Sequence, residues 1–304
     1  MPTMKKINAN NIFNIYKPVG ISPLDAIKLL KEKHPELKNE KMTYAGRLDP
    51  MAEGALLILA GNAIYEKERY LKMDKEYEGE ILFGFETDTY DVLGLPEKII
   101  HYRRSMSIVK IRKILKSFEG EISLPLPPYS SYKIKGKPLF QWAREGKLSE
   151  IETPIRQTKI NSAKLLSLNE ISDKNLMETI KQKISLIKGD FRQKEILSQW
   201  QKMLPKSCWS IKTVTFQTAK IKGKPFVLTS LERHEKETLS RRFSLAKIKI
   251  SCSSGTYIRS IAHHLGQELK TGGILLNLKR TKVGNFDIKD SEKLKGIKIA
   301  SYQR

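Results

Sequence analysis

Cysteine is scarce in this sequence, and its scarcity limits the chemistry available to the chain. Cys208 and Cys252 are the only two cysteines, and they do not form a CxxC pair. A disulfide framework or a zinc site cannot be built from them, and their rarity fits a reducing compartment. Long apolar runs are scarce too, because the most apolar stretch, residues 55–60, is far too short to span a bilayer. The N-terminus also lacks the apolar core of a signal peptide, so we expect a soluble, cytoplasmic protein with no membrane partner.

Acidic residues are also in short supply. The 304-residue chain has 56 Lys and Arg against 33 Asp and Glu, which gives a formal net charge of +23 at pH 7. So much positive charge repels itself, and this favours a polyanionic partner, although composition does not say which one. With 39% apolar and 8% aromatic residues, the chain is able to fold around a large core.

Apolar spacing predicts a mixture of helices and strands. Ser22, Pro23 and Asp25 have the spacing of a capped helix start. Helical periodicity predicts further helices over residues 107–118, 174–187, 191–204 and 257–269. Apolar runs and alternation predict strands over residues 55–59, 77–85 and 246–252. Because helices and strands do not alternate regularly, an α+β fold is favoured over a parallel α/β fold.

The short loop of residues 46–54 places Asp49 directly before a proline and between glycines. Proline holds the preceding residue away from helical geometry, and glycine permits a tight loop close to a ligand. Taken alone, an Asp-Pro pair is most simply a turn. The same is true of the segments 74–77 and 87–94, which alone predict a strand followed by a polar turn.

Cations and aromatic residues alternate in a later segment, residues 127–146. This mixture suits RNA, whose unstacked bases need aromatic faces and whose phosphates need cations. A solvated basic loop is an equally good interpretation of the composition. The segment 254–259 places Arg259 at the start of a predicted helix, where an arginine is usually a surface cation. None of these segments is decisive separately.

Together and in this order, the segments resemble those of one family, the bacterial tRNA pseudouridine-55 synthases of the TruB type. The resemblance covers residues 14–146 and 246–286. The matching motifs are KPxG at 17–20, GxLDPxAxG at 46–54, DKxY at 74–77, TDTxDxxG at 87–94, the PPxYSxxK arm at 127–146, GTYIR at 255–259 and a leucine-basic-Arg-Thr segment at 278–281.

The resemblance implies isomerisation of a uridine within RNA: the N1–C1′ bond breaks, the base turns, and it rejoins the sugar through C5. Asp49 is implied as the catalytic carboxylate acting at C1′ of a flipped-out nucleotide, with Arg259 as its ion partner. Tyr77 is implied to stack on the target base, and its hydroxyl is a candidate base for a sugar proton. Since no redox step occurs, we expect no cofactor and no metal.

Other roles follow from the same resemblance. Tyr257 and Leu278 are implied to line the base pocket, although ordinary core packing would be the better interpretation of both, and of Tyr77, without the family match. The remaining implied residues brace the catalytic loop (Lys17, Pro18 and Gly20) or meet RNA phosphates (Lys133, Lys135, Lys137 and Arg144).

The sequence departs from the family pattern in three places. Tyr44 stands where the family usually has a histidine that inserts into the RNA, and a tyrosine can stack in the same gap. Residues 169–240 form a Lys-rich insertion within a catalytic domain made of residues 1–168 and 241–304. The insertion either supplies RNA contacts or is a solvated decoration. The C-terminal RNA-binding (PUA-like) domain of the family is expected to be absent.

We therefore expect a monomeric tRNA pseudouridine synthase that acts on U55 of the T stem-loop. Its expected fold is the pseudouridine synthase fold, a mixed, largely antiparallel sheet flanked by helices around a central cleft. One alternative is a non-catalytic RNA-binding or tRNA-folding factor on the same scaffold, which would not need Asp49, Tyr77 and Arg259. The other is a related rRNA pseudouridine synthase, against which the segments 87–94 and 127–146 argue.

Overall fold

The computed structural model describes residues 11–100, 106–189, 191–204, 217–221, 224–228 and 241–294. Ten strands of the described ranges form one sheet. They are β1 (Ile12–Lys17), β2 (Met42–Ala45), β3 (Ala52–Ala60), β4 (Lys75–Phe83), β7 (Gly120–Pro125), β10 (Ile155–Ser172), β13 (Arg242–Cys252), β14 (Gly273–Val283), β15 (Phe286–Asp287) and β16 (Glu292–Lys293). Three further pairs are β5 (Phe85–Thr87) with β6 (Pro96–Ile99), β8 (Lys133–Ile134) with β9 (Lys137–Pro138), and β11 (Gln217–Ile221) with β12 (Lys224–Leu228).

Helices accompany the sheet along the chain. They are α1 (Pro23–Lys33), α2 (Lys67–Lys72), α3 (Ile108–Ser117), α4 (Leu139–Arg144), α5 (Asp173–Leu186), α6 (Gln193–Met203) and α7 (Ile258–Leu269). Short 3-10 helices cover Pro35–Leu37, Gly61–Glu66, Leu148–Glu150 and Ile288–Asp290. No helix in these described ranges is long and apolar enough to cross a membrane.

The sheet is mixed but largely antiparallel. Its main strand order is β16-β1-β3-β14-β4-β13-β10-β7, with β2 added to β3 and β15 added to β14. Only the β1–β16 and β3–β14 pairs of this sheet are parallel. The central strands β3, β14 and β4 are therefore neighbours although they are far apart in sequence, and this brings the segments 46–54, 74–77 and 278–281 together.

Local sequence explains where several elements begin and end. Ser22 caps α1 and forms a capping box with Asp25, as its spacing predicts. The predicted strand 77–85 is instead divided at Gly84, whose φ of 101° only glycine adopts easily. The helix predicted from residue 191 begins at Gln193, because Arg192 adopts a left-handed φ of 60°. Residues 191–192 therefore form part of a turn.

The predicted insertion is joined closely to the sheet. Strand β10 continues to Ser172, past the predicted start of the insertion at residue 169, and pairs with β13 on its far side. Trp200 of α6 is fully buried against Phe85, at 5.1 Å between ring centroids, and Phe243 packs on the same Phe85 ring at 4.7 Å. The helices α5 and α6 thus belong to the main hydrophobic core. Of residues 205–240 of the predicted insertion, only β11 and β12 lie within the described residues.

Candidate active site

A cleft of about 880 Å³ collects most of the residues that the motifs single out. It opens beside the central strands, between the loop that precedes β3 and the start of α7. Seven predicted residues line it: Tyr44, Asp49, Tyr77, Arg144, Tyr257, Arg259 and Leu278. Lys17, Pro18 and Gly20 lie outside its lining, behind the loop, and Lys133, Lys135 and Lys137 belong to the β8–β9 hairpin next to it.

The loop that carries Asp49 is held by backbone hydrogen bonds from several sides. The Gly20 N–H donates to the Pro50 carbonyl oxygen at 2.8 Å, so the KPxG segment does contact the loop. The buried guanidinium of Arg280 donates to the carbonyl oxygen of Ala55 at 2.7 Å. It also donates to the carbonyl oxygens of Gly46 and Arg47, at 3.2 and 3.3 Å. These contacts fix the loop before any ligand arrives.

Asp49 and Arg259 form an ion pair on the wall of the cleft. Asp49 Oδ2 lies 2.9 Å from Arg259 Nε, and the side chains are 30% and 5% exposed, respectively. Arg259 also donates through Nη1 to the Thr89 carbonyl oxygen at 2.9 Å and through Nη2 to the Tyr129 carbonyl oxygen at 3.3 Å. One guanidinium therefore joins the GTYIR helix start to the Asp49 loop, the TDTxDxxG segment and the PPxYSxxK arm.

Asp91 is a second carboxylate at the same arginine. Its Oδ2 lies 3.6 Å from Arg259 Nε, and it accepts hydrogen bonds from the Thr89 hydroxyl at 2.7 Å and the Leu93 N–H at 2.9 Å. Burial raises the pKa of Asp91 to about 6, against the opposing effect of Arg259. Burial also disfavours the charge of Arg259, but the two carboxylates outweigh it, so the pKa of Arg259 lies above its ordinary value.

Lys17 places an amine within the fold, under the loop. It is fully buried and donates to the carbonyl oxygens of Pro18 and Ile21, each at 2.9 Å. Burial lowers the pKa of Lys17 to about 7, although the nearby charge of Asp49 acts in the opposite direction. The KPxG segment is therefore an internal brace, because its lysine faces backbone oxygens.

The implied base-binding residues line the same cleft as Asp49. Tyr77 on β4 is nearly buried, and burial raises the pKa of its phenol. Leu278 on β14 sits opposite Gly79 of β4, and Tyr257 caps the start of α7. Tyr44 lies on β2, where its hydroxyl accepts a hydrogen bond of 3.4 Å from Arg47. An apolar and aromatic wall thus lines the cleft that holds Asp49.

The basic arm next to the cleft is a short hairpin. Lys135 and Gly136 both have positive φ, which suits the two-residue turn between β8 and β9. Lys133, Lys135 and Arg144 are exposed. Lys137 instead pairs with Glu145 and lies 4.5 Å from the ring centroid of Trp142, so its ammonium already has partners within the protein.

Among the residues around the cleft that have no role in the motif-based expectation are Arg280, Asp91, Phe191 and Arg192. The first two stand inside matched motifs, Arg280 in the leucine-basic-Arg-Thr segment and Asp91 in TDTxDxxG, and their place in these motifs is the signal that marks them. Phe191 and Arg192 give no such signal, because their spacing looks like the start of a helix. Their place at the cleft depends on the tertiary fold.

Comparisons with known proteins show which family the sequence matches. The sequence model of the TruB family pseudouridylate synthases (N terminal domain) matches residues 34–190. Over 290 residues the chain is 29% identical to tRNA pseudouridine synthase B of Endomicrobium trichonymphae, covering 95% of this chain and 91% of that protein. Over 284 residues it is 30% identical to tRNA pseudouridine synthase B of Clostridium kluyveri, covering 93% of this chain and 70% of that protein.

Solved structures share the fold at lower identity. A chain from the crystal structure of a Cbf5-Nop10-Gar1 complex matches with a TM-score of 0.51 and 18% identity, over 94% of this chain and 52% of that one. A chain from the archaeal box H/ACA sRNP Nop10-Cbf5 complex gives a TM-score of 0.50 at 17% identity, over 96% and 54%. This chain thus spans about half the length of these solved chains, and the likeness concerns the fold.

The mixed sheet and these likenesses define the pseudouridine synthase fold, so the predicted α+β class is confirmed. The chain belongs to the TruB family of pseudouridylate synthases. It is an RNA pseudouridine synthase, an isomerase, as the resemblance of its motifs predicts. The family match ends at residue 190, which is within the stretch predicted as an insertion.

Proposed function

We propose that this protein is a tRNA pseudouridine synthase that isomerises U55 of the T loop, with Asp49 acting at C1′ of a flipped-out nucleotide. The observation that carries the proposal is the 2.9 Å ion pair between Asp49 and Arg259, in which the carboxylate keeps 30% exposure toward the cleft. The carboxylate is held at the wall of the cleft by this guanidinium. Its exposed face is then able to attack C1′ or to stabilise positive charge that develops there.

The residues of the cleft suit each part of this reaction. The N1–C1′ bond breaks with its electron pair on the uracil, and the turned base rejoins C1′ through C5. C5 then loses its proton and N1 gains one, so the product is an isomer. Leu278 and the ring of Tyr77 offer an apolar wall that hinders exchange of the detached base for water. Tyr77 stacking also offsets the few kcal/mol that flipping a nucleotide costs.

The charge of the cleft supports a nucleic acid as substrate. Eight Lys or Arg residues line it, against three Asp or Glu residues. The exposed cations among them, such as Arg47, Arg144 and Arg156, are able to neutralise phosphates and add affinity that decreases with salt. The names of the relatives support tRNA as the RNA. Docking of the T stem-loop on Lys133, Lys135, Lys137 and Arg144, a monomeric state and a cytoplasmic location are part of the same proposal.

Release of tritium from tRNA labelled at uridine C5 tests the reaction. Wild-type protein is expected to release tritium from a tRNA transcript with uridine at position 55 and not from one with cytidine there. Asp49→Asn, which keeps the shape of the side chain, is expected to slow release about 10³-fold or more while tRNA binding is retained. Asp290→Asn, which changes an exposed acid outside the cleft, is the matched control.

The outcomes separate the alternatives. Binding of tRNA without tritium release by the wild type would favour the non-catalytic RNA-binding factor. Equal release by Asp49→Asn and wild type would refute the role of Asp49. Continued release from the transcript with cytidine at position 55 would leave the enzyme class intact and refute the target.

A further inference from the structure

The connection between α5 and α6 reaches the active-site cleft. This α5–α6 turn, described for residues 187–189 and 191–192, contacts three of the family motifs. The Lys188 N–H donates to the Gly20 carbonyl oxygen at 2.9 Å. Arg192 Nη2 lies 2.9 Å from Asp88 Oδ2, and its guanidinium carbon lies 4.7 Å from the ring centroid of Tyr129. The turn therefore bridges the KPxG segment, the TDTxDxxG segment and the basic arm.

The α5–α6 turn is held firmly in this position. At one end, α5 approaches Gly20 so closely that a Cβ built there would lie 2.0 Å from the Leu186 carbonyl oxygen. At the other end, α6 is anchored by the fully buried Trp200. Core packing of both flanking helices, together with the Arg192–Asp88 ion pair, fixes the direction in which the turn presents its side chains.

Phe191 is presented toward the cleft and remains 37% exposed. A phenyl ring left in solvent at a well-anchored position gives up the free energy that its burial would contribute. The lining of the same cleft also includes the cation of Arg144 and the aromatic rings of Tyr129 and Phe140. Exposed aromatic faces among cations are the combination on which single-stranded bases stack.

We propose that Phe191 stacks on an unpaired nucleobase of the bound RNA beside the extruded uridine, and that Arg192 is a positioning residue which holds the α5–α6 turn against Asp88. The inference rests on the proposed function for its ligand, tRNA. It gives residues 169–240 a specific part in substrate binding, namely one aromatic contact made in the cleft that also holds Asp49.

Binding of full-length tRNA by the whole protein tests Phe191. Stacking on one base contributes enough free energy that Phe191→Ala is expected to raise the Kd about 5-fold to 100-fold, while Phe191→Trp keeps it close to the wild-type value. The slope of log Kd against log salt is expected to stay unchanged, because no phosphate contact is lost. Tyr65→Ala, which removes an aromatic ring that is 81% exposed outside the cleft lining, is the control.

A double-mutant cycle tests Arg192. If the arginine acts by positioning Phe191, Arg192→Gln is expected to weaken tRNA binding as a single change. In a protein that already carries Phe191→Ala, the same change is expected to weaken binding little further. Full additivity would refute the positioning role. The stacking inference would be overturned if Phe191→Ala bound tRNA as tightly as Tyr65→Ala does. It would also be overturned if Phe191→Trp bound tRNA as weakly as Phe191→Ala does.

Tritium release measured on the same proteins separates this inference from the proposed function. An active wild type with normal binding by Phe191→Ala would overturn only the stacking contact. A wild type that binds tRNA without releasing tritium would overturn the proposed function, and the Kd of Phe191→Ala would still judge the contact. A wild type that does not bind tRNA would overturn both.

Discussion

Replacement of Asp91 by asparagine offers a quantitative test of the electrostatics at the cleft. Asp91 is 4% exposed and shares Arg259 with Asp49. Its pKa is raised from 3.8 to about 6, so the folded protein binds the proton of this group more tightly than the unfolded chain does. The group therefore contributes stability that is complete below pH 3.8 and is lost as the pH rises through about 6.

The size of the effect follows from the two pKa values. At about 1.4 kcal/mol per pKa unit, the difference between 3.8 and about 6 corresponds to about 3 kcal/mol of stability. About 2 kcal/mol of this is lost between pH 4.5 and pH 7. Asparagine does not titrate. As the pH rises from 4.5 to 7, the free energy of unfolding of Asp91→Asn is therefore expected to increase by about 2 kcal/mol relative to that of the wild type.

Urea unfolding of both proteins at several pH values between 4.5 and 7 measures this difference. Titrating groups that do not interact with Asp91 are common to the two proteins, so their contributions cancel in the comparison. Asp290→Asn changes an exposed acid, so its free energy of unfolding is expected to change with pH in the same way as that of the wild type. A pH-independent difference between Asp91→Asn and wild type, or a difference of the opposite sign, would refute the assignment of a raised pKa to Asp91.

Three further changes test the loop support, the cleft and the arm. Gly20→Ala adds a Cβ 2.0 Å from a backbone oxygen at the end of α5, whereas the Cβ added by Gly136→Ala meets nothing within 4 Å. In urea unfolding, Gly20→Ala is therefore expected to destabilise the protein by about 2 kcal/mol more than Gly136→Ala does. Equal losses of stability would contradict the clash. Tyr77→Phe keeps the stacking ring and is expected to bind tRNA normally while kcat falls about 10²-fold or more; an unchanged kcat would exclude the hydroxyl as a base. Lys133→Ala is expected to reduce the slope of log Kd for tRNA against log salt by about 1. Lys137→Ala is expected to reduce it by less, because Lys137 already pairs within the arm. The reverse order would argue against phosphate contact by Lys133.

Elements whose sequence signals are local could be predicted well. The cap at Ser22 and the helical spacing behind α3, α5 and α7 place these helices within about a residue of their observed bounds. The strand ending at Phe83 and the delayed start of α6 were harder to predict. Both depend on single residues with positive φ, Gly84 and Arg192, and apolar periodicity does not report backbone angles of this kind.

The site could be predicted only where sequence motifs mark its residues. The convergence of Asp49 with Arg259, which are 210 positions apart, follows from the family resemblance and from nothing in the local sequence. The second acid at Arg259, Asp91, was not assigned because burial decides its role, and burial depends on neighbours distant in sequence. Phe191 could not be found for the same reason, since the packing of α5 and α6 alone brings it to the cleft.

The packing around the ring of Phe85 cannot be completed until later parts of the chain have been synthesised. Phe85 emerges from the ribosome long before its two aromatic neighbours, Trp200 and Phe243. Until both have been translated, the nascent chain carries an uncovered apolar surface, the kind of exposure that invites aggregation and chaperone binding. A truncated product that stops before residue 243 therefore lacks one side of this aromatic cluster, even though Asp49 and Tyr77 have already been made.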